Sequence, residues 1–161
     1  MHMNAPANTD HVPGEPHASQ PPKVTRVLCV DDHRDIRRVL EMLIDAAADM
    51  QCVGCLGSAD TLVEEVRRLQ ADVVLMDAIM PGKDPFVAVG ELSAEHPDTG
   101  IIVFSAWDRD EVLIRRAKEA GARGWVSKDA DPDTVLEALR EVAAGGRYFD
   151  LDTITDPSSR G

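Results

Sequence analysis

Four apolar stretches of this chain lead into polar residues whose types suit phosphoryl chemistry. These residues are Asp31 and Asp32 after the first stretch, Asp77 after the second, Ser105 at the end of the third and Lys128 after the fourth. In a sheet of parallel strands separated by helices, such strand ends meet at the carboxyl edge, where ligands bind. Three carboxylates, a hydroxyl and an ammonium group at one edge favour Mg²⁺-assisted transfer of a phosphoryl group to an aspartate.

The three carboxylates predict a site for a hard cation. Asp31 and Asp32 are adjacent at the end of an apolar stretch, so their charges repel and require a cation or protons. If the strand order is 2-1-3-4-5, Asp77 lies beside them at the crevice of the sheet. Mg²⁺ prefers such oxygen ligands and keeps waters that leave room for a phosphoryl group. Asp77 is then the expected nucleophile, forming an acyl phosphate.

The hydroxyl and the amine complete the predicted site. Ser105 is placed to donate a hydrogen bond to one phosphoryl oxygen, and Lys128 to act as a point charge toward another. Taken alone, Ser105 fits an ordinary serine at a strand end and Lys128 an ordinary surface lysine. Their joint placement with three aspartates favours the phosphoryl-transfer interpretation.

Regular alternation of strand and helix patterns after Pro22 would position these side chains. Strands are predicted over 24–30, 50–56, 72–76, 100–105 and 122–127. Helices are predicted from His33 to about Ala48, from a Ser58 cap through Gln70, from an Asp84 cap and Pro85 to Glu95, from an Asp108 and Glu111 capping box to Ala120, and from Asp131-Pro132 to about Ala144. The pattern predicts an α/β fold with a five-stranded parallel, doubly wound sheet.

The length of 161 residues favours one folded domain. We expect a disordered tail over 1–22, which contains five prolines and few large apolar side chains, a domain over 23–147 and a short tail over 148–161. The start lacks the features of a secretory signal, and no apolar stretch is long enough to span a membrane.

Charge and cysteine content narrow the expected partners and location. The net charge of −12 disfavours direct binding to nucleic acid, because binding would need a basic face. Three cysteines fit a reducing compartment, so a cytoplasmic location is expected. Cys52 and Cys55 form a C-x-x-C pair within a predicted strand. Their spacing predicts opposite faces, which would prevent a shared metal or a disulfide.

Four segments of the sequence resemble the response-regulator receiver domains of two-component signalling. They are LCVDDH (28–33), LMDAIMPGKD (75–84), VFSAWD (103–108) and GARGWVSKD (121–129). The resemblance covers residue 24 to about 145 and implies the flavodoxin-like, or CheY-like, (βα)5 fold with order 2-1-3-4-5. The ending ALREVAAGGRYF (138–149) is most similar to receivers of NarL-type regulators.

The resemblance also implies roles for the site residues. Asp77 would be the phosphoacceptor, which together with Asp32 and the backbone carbonyl of Ile79 would bind Mg²⁺ directly. Asp31 would hold the ion through water, and Lys128 would contact the phosphoryl group.

The same resemblance implies a switch and a set of partners. Ser105 would be the switching hydroxyl, and Trp125 the aromatic residue that swings inward when the hydroxyl moves. A sensor histidine kinase is the expected phosphoryl donor, and dimerisation on phosphorylation is plausible. Such a receiver is a signalling module and not a turnover enzyme.

Alternatives remain open at this point. An aspartate-nucleophile phosphatase of the haloacid-dehalogenase type would use similar groups, but its Asp-x-Asp motif is missing. Nucleotide binding is disfavoured because no Gly-rich phosphate loop is present. A docking module that never uses phosphate is a third possibility. NarL-type factors continue into a helix-turn-helix domain, so the chain is either an excised receiver or a stand-alone regulator.

Overall fold

The computed structural model describes residues 23–107 and 109–149. The predicted tail over 1–22, the predicted cap Asp108 and residues 150–161 lie outside this part of the chain. Within the described ranges, no helix is long and apolar enough to cross a membrane.

Strands and helices alternate along the chain in the predicted order. The strands are β1 Thr25–Val30, β2 Met50–Leu56, β3 Val73–Met76, β4 Gly100–Ser105, β5 Gly124–Ser127 and β6 Tyr148–Phe149. The helices are α1 Arg34–Ala46, α2 Leu62–Leu69, α3 Pro85–Glu95, α4 Glu111–Ala120 and α5 Pro132–Ala143. The parallel α/β fold predicted from the sequence is therefore confirmed.

The sheet has the order β2-β1-β3-β4-β5-β6, and every pairing within it is parallel. The order of the first five strands is as predicted, but the count of five is wrong because β6 adds a short edge strand. Tyr148 and Phe149 pair with Gly124 and Trp125 of β5. A side chain at Gly124 would lie 2.9 Å from the Tyr148 carbonyl oxygen, so glycine permits this approach. Two residues are too few to show a strand pattern in sequence.

Apolar side chains cover both faces of the sheet, which explains the near-continuous apolar strands. On one face, Leu28, Val74 and Trp125 pack with residues of α2, α3 and α4. On the other face, Val27 and Val126 pack with residues of α1 and α5. Because the strands are held from both sides, the residues that follow them are fixed at one edge.

The prediction that Cys52 and Cys55 lie on opposite faces is wrong. Their thiol sulfurs are 3.8 Å apart. The register with β1 shifts after Val27, which pairs with Cys52, so that the next residue Leu28 pairs with Gly54 and not with Val53. This one-residue bulge shifts the alternation of side chains, and both cysteines then face α1 and α5.

Two of the predicted helix starts are confirmed. Asp84 precedes Pro85 at the start of α3 and accepts a hydrogen bond from the Phe86 amide at 2.9 Å. Asp131 precedes Pro132 at the start of α5. Proline at the first helical position suits both starts, because its missing amide hydrogen has no partner there in any helix.

Two other predicted starts are wrong. α4 is capped by Asp110, which accepts hydrogen bonds from the amides of Val112 and Leu113, so its first turn comes after the predicted cap. α2 begins after Thr61, whereas the predicted cap Ser58 accepts a bond from the Asp60 amide within the preceding turn. Each segment contains several residues able to cap, and the sequence does not select among them.

Replacing Asp84 with Ala is expected to lower the free energy of unfolding by about 1 kcal/mol, because the Phe86 amide loses its acceptor. Urea unfolding would measure the change. Asp84→Asn is the matched control and should retain most of the stability, since Asn also caps helices. Equal losses of stability in both variants would mean that the ion pair between Asp84 and Arg116, and not the helix cap, is responsible.

Candidate metal centre

The pairing of β1 with β3 brings the first carboxylates together. Val30 pairs with Met76, and the Asp77 amide donates to the Val30 carbonyl at 2.9 Å. On the other side of β1, the Asp31 amide donates to the Leu56 carbonyl at 3.0 Å. Asp31 and Asp77 are therefore held by sheet hydrogen bonds at neighbouring strand ends, and both are buried.

Lys128 reaches the same place from β5. Ser105 pairs with Ser127, and the Lys128 amide donates to the Ser105 carbonyl at 2.9 Å. The Lys128 ammonium nitrogen lies 2.7 Å from Asp31 Oδ2 and 3.0 Å from Asp77 Oδ2. Its side chain is only 14% exposed. One cation thus bridges two buried carboxylates that come from different strands.

His33 belongs to this cluster, although the sequence analysis did not single it out. Its amide and its Nδ1 lie 2.8 and 3.1 Å from Asp31 Oδ1. Its position directly after Asp31 and Asp32 was the available signal. Arg37 donates to the Asp31 carbonyl at 2.7 Å, so α1 also holds this strand end.

Asp32 retains a buried oxygen without a hydrogen bond. The His33 ring nitrogen lies 3.2 Å from Asp32 Oδ1 but is not aligned to hydrogen bond with it. Ligand atoms of Asp31, Asp32, His33 and Asp77 all lie within 4.8 Å of one another. Two oxygens bound to one Mg²⁺ are at most about 4.2 Å apart, so small movements would bring them together. A free buried oxygen among clustered carboxylates fits a hard cation.

The carboxylates of the cluster outnumber its one ammonium group, and burial affects the pKa of both kinds of group. Burial raises the pKa of Asp77, and the hydrogen bond from Lys128 only partly offsets this effect. Burial alone would lower the pKa of Lys128, but hydrogen bonds to Asp31 and Asp77 outweigh it and raise that pKa. Lys128 therefore stays charged, yet a single ammonium group cannot neutralise three carboxylates.

The remaining predicted site residues lie around this cluster. Ser105 is fully buried, and its hydroxyl oxygen accepts a hydrogen bond from the Trp107 amide at 3.0 Å. The Ile79 amide donates to Asp77 Oδ1 at 3.2 Å, while the Ile79 side chain is 51% exposed. The predicted use of the Ile79 carbonyl as a metal ligand stays a prediction.

Trp125 is 0% exposed and packs in the core. Its indole nitrogen is buried without a hydrogen-bond partner. Trp125 pairs with Val103 of β4, two residues before Ser105. The role of Trp125 as the switching aromatic residue stays a prediction.

Replacing Asp32 with Asn is expected to stabilise the metal-free protein by about 1 kcal/mol, because one of three crowded negative charges is removed. The same change should weaken Mg²⁺ binding by about tenfold or more, since altering even outer groups around a metal has effects of that size. Urea unfolding in a chelator and titration calorimetry with Mg²⁺ would measure the two effects.

Asp35→Asn is the matched control, because Asp35 is an exposed carboxylate in the first turn of α1. It should leave Mg²⁺ affinity unchanged. Unaltered Mg²⁺ affinity in Asp32→Asn would contradict the assignment of Asp32 as a ligand.

A parallel sheet of this order, with carboxylates and a lysine converging at its carboxyl edge, defines a receiver-like α/β protein. Residues 27–140 match the family model described as the response regulator receiver domain. The chain therefore belongs to the response regulator receiver domain family.

Similarity to proteins of other organisms supports this family membership. The response regulator GacA of Pseudomonas viridiflava is 35% identical over 124 residues, covering 77% of this chain and 58% of GacA. The oxygen regulatory protein NreC of Staphylococcus haemolyticus is 28% identical over 131 residues, covering 81% and 60%. The chain thus spans about three fifths of the length of these relatives.

Solved structures show the same fold. A LuxR-family two-component response regulator from Aurantimonas sp. SI85-9A1 has a TM-score of 0.77 at 26% identity, covering 85% of this chain and 97% of that one. The NarL receiver domain from Mycobacterium tuberculosis has a TM-score of 0.73 at 24% identity, covering 77% and 99%. The second likeness concerns the fold alone.

Proposed function

We propose that this chain accepts a phosphoryl group on Asp77 from a sensor histidine kinase, in a Mg²⁺-dependent reaction, and changes conformation to control an output partner. The observation that carries the proposal is the Lys128 ammonium group bonded to both Asp31 and Asp77. Beside this bridge, Asp32 keeps a buried oxygen with no hydrogen bond. Family membership supports the same function.

Asp77 is held ready for attack by two donors. The Ile79 amide contacts Oδ1, and Lys128 contacts Oδ2. We assign direct cation binding to Asp32, Asp77 and the Ile79 carbonyl, and binding through water to Asp31. When bound, Mg²⁺ screens the repulsion between these carboxylates and the incoming phosphate.

In the reaction an Asp77 carboxylate oxygen forms a bond to phosphorus, while the bond from phosphorus to the donor's histidine nitrogen breaks. The histidine of the kinase regains a proton, and Asp77 becomes an acyl phosphate. Lys128 is already charged and within reach, so it can transfer its contact from Asp77 to a phosphoryl oxygen. The product is one adduct per chain, so the chain acts as a signalling module and not as a turnover enzyme.

Ser105 would transmit the change. Its hydroxyl now accepts from the Trp107 amide, and it would turn to donate to a phosphoryl oxygen. That movement would displace the segment leading to α4, since Trp107 and Asp110 lie between Ser105 and the helix. Phosphate would bind this displaced state better and so shift the population toward it. Trp125 pairs with Val103, two residues before Ser105, and would be the aromatic residue that responds to this movement.

The proposed partners follow from the same function. The donor is a sensor histidine kinase, and a second copy of the chain is a plausible partner after phosphorylation. The net charge of −12 disfavours direct contact with nucleic acid. Membership in the receiver family argues against the phosphatase alternative considered above.

Incubation with acetyl phosphate tests the proposal without knowing the kinase. With Mg²⁺ present, intact mass spectrometry should show a single phosphoryl adduct, and with a chelator the adduct should be absent. Continuous release of phosphate at many turnovers per chain would indicate a phosphatase instead. Absence of any adduct with Mg²⁺ would favour a docking module that does not use phosphate.

A further inference from the structure

Three cysteines form a cluster between the sheet and α1, and none of them belongs to the acidic site. Cys29 of β1 pairs with Cys55 of β2, and Cys52 lies on the same face. The sulfurs of Cys52 and Cys55 are 3.8 Å apart. All three thiols are free.

The bulge in β2 is what makes this arrangement possible. Cys52 and Cys55 pair with Val27 and Cys29, which are only two residues apart in β1. The three residue steps from Cys52 to Cys55 therefore span the length of two steps of β1, which places the two Cα atoms about 6.6 Å apart. Disulfides usually join Cα atoms up to about 6.8 Å apart. Rotation of the two side chains can thus bring the sulfurs into bonding distance.

Access and reactivity differ among the three thiols. Cys29 is fully buried, whereas Cys52 and Cys55 are partly exposed on the edge strand β2. Hydrogen bonding with Cys29, and also with Cys52, lowers the pKa of the Cys55 thiol to about 7 against the opposing effect of burial. A large fraction of Cys55 is therefore thiolate at neutral pH, and the thiolate is the form that reacts.

We propose that Cys52 and Cys55 are a modification site, which forms a reversible disulfide by exchange with a low-molecular-weight disulfide. The Cys55 thiolate attacks one sulfur of that disulfide, forms a mixed disulfide and releases one small thiolate. Cys52 then gives up its proton and attacks the Cys55 sulfur, releasing the second small thiolate. Both leaving thiolates take up protons, so two cysteines are oxidised and one small disulfide is reduced to two thiols.

The site lies beside the acidic cluster without sharing its residues. Leu56, the neighbour of Cys55, accepts the hydrogen bond from the Asp31 amide. The inference does not depend on the proposed phosphorylation, because the exchange requires neither Mg²⁺ nor phosphate.

Incubation of the reduced full chain with oxidised glutathione, followed by alkylation in denaturant and digestion with trypsin, tests the proposal. Trypsin places Cys52 and Cys55 together in peptide 39–67, and Cys29 in peptide 27–34. We expect peptide 39–67 to lose two hydrogen atoms and both alkylation sites, while peptide 27–34 stays alkylated. A reductant should restore both sites.

Single substitutions test which of the two cysteines reacts first with oxidised glutathione. Cys52→Ser should stop at a glutathione adduct on Cys55, and Cys55→Ser should form no disulfide. Cys29→Ser is the matched control, because serine can still hydrogen bond with Cys55 but cannot form a disulfide, and this variant should still form the bond between Cys52 and Cys55. Peptides 27–34 and 39–67 joined together, or full alkylation of all three cysteines after incubation, would overturn the proposal. Circular dichroism of each variant would show that the fold is kept.

Discussion

Asp77→Asn is expected to abolish formation of the phosphoryl adduct from acetyl phosphate and Mg²⁺. The change keeps the shape of the side chain but replaces the nucleophilic carboxylate with a neutral amide. Asp31 also contacts Lys128, but the Ile79 amide donates its hydrogen bond to Asp77, so Asp31 does not reproduce both contacts of Asp77. Intact mass spectrometry should show the unmodified chain alone.

Asp84→Asn provides the control for this experiment. Asp84 also lies in the segment after β3, and Asn keeps its cap of α3. This variant should gain the adduct as the unchanged protein does. An adduct of undiminished yield in Asp77→Asn would place the phosphoacceptor at another residue.

Lys128→Met is expected to produce the largest change in stability. Met keeps much of the apolar stem, but it leaves the carboxylates of Asp31 and Asp77 buried without their cation. Breaking such a pair from one side should lower the free energy of unfolding by about 3 kcal/mol in a chelator. Mg²⁺ should then restore more stability to the variant than it adds to the unchanged protein. Urea unfolding with and without Mg²⁺ measures both effects.

Lys23→Met is the matched control for the lost positive charge. Lys23 pairs with Asp72 at 3.4 Å, but its side chain is 83% exposed. Exposed pairs of this kind contribute about 0–1 kcal/mol, so the control should change little. Similar losses in the two lysine variants would mean that the bridge to Asp31 and Asp77 has no special contribution.

The sequence was sufficient to predict which strand ends converge. Buried parallel strands show as continuous apolar stretches, and the polar residues that follow them must lie at one edge. This reasoning placed Asp31 beside Asp77, and it placed Lys128 at the same edge as both. Their hydrogen bonds now show that the convergence is close.

Features that depend on one or two residues were not predictable in this way. The bulge at Val53 changes the facing of Cys55, and the neighbouring Gly54 was a signal for a bulge that the argument from side-chain alternation did not use. The strand at Tyr148–Phe149 is too short to show alternation. Asp110 caps α4, whereas the spacing to Glu111 in the sequence had favoured Asp108 as the cap.

The unpaired oxygen of Asp32 is another feature that only the structure shows, because it depends on how the His33 ring is aligned. The roles of Ser105, Trp125 and the Ile79 carbonyl stay predictions, as does the cytoplasmic location.

The most direct measurement is an anomalous-scattering map from crystals of the full chain loaded with Mn²⁺ in place of Mg²⁺. One peak is expected at the carboxyl edge, about 2 Å from a carboxylate oxygen of Asp32 and from one of Asp77. Crystals of Asp32→Asn should show a weaker peak or none. A strong peak elsewhere, or an empty edge at saturating Mn²⁺, would contradict the claim that these strand ends share a divalent cation.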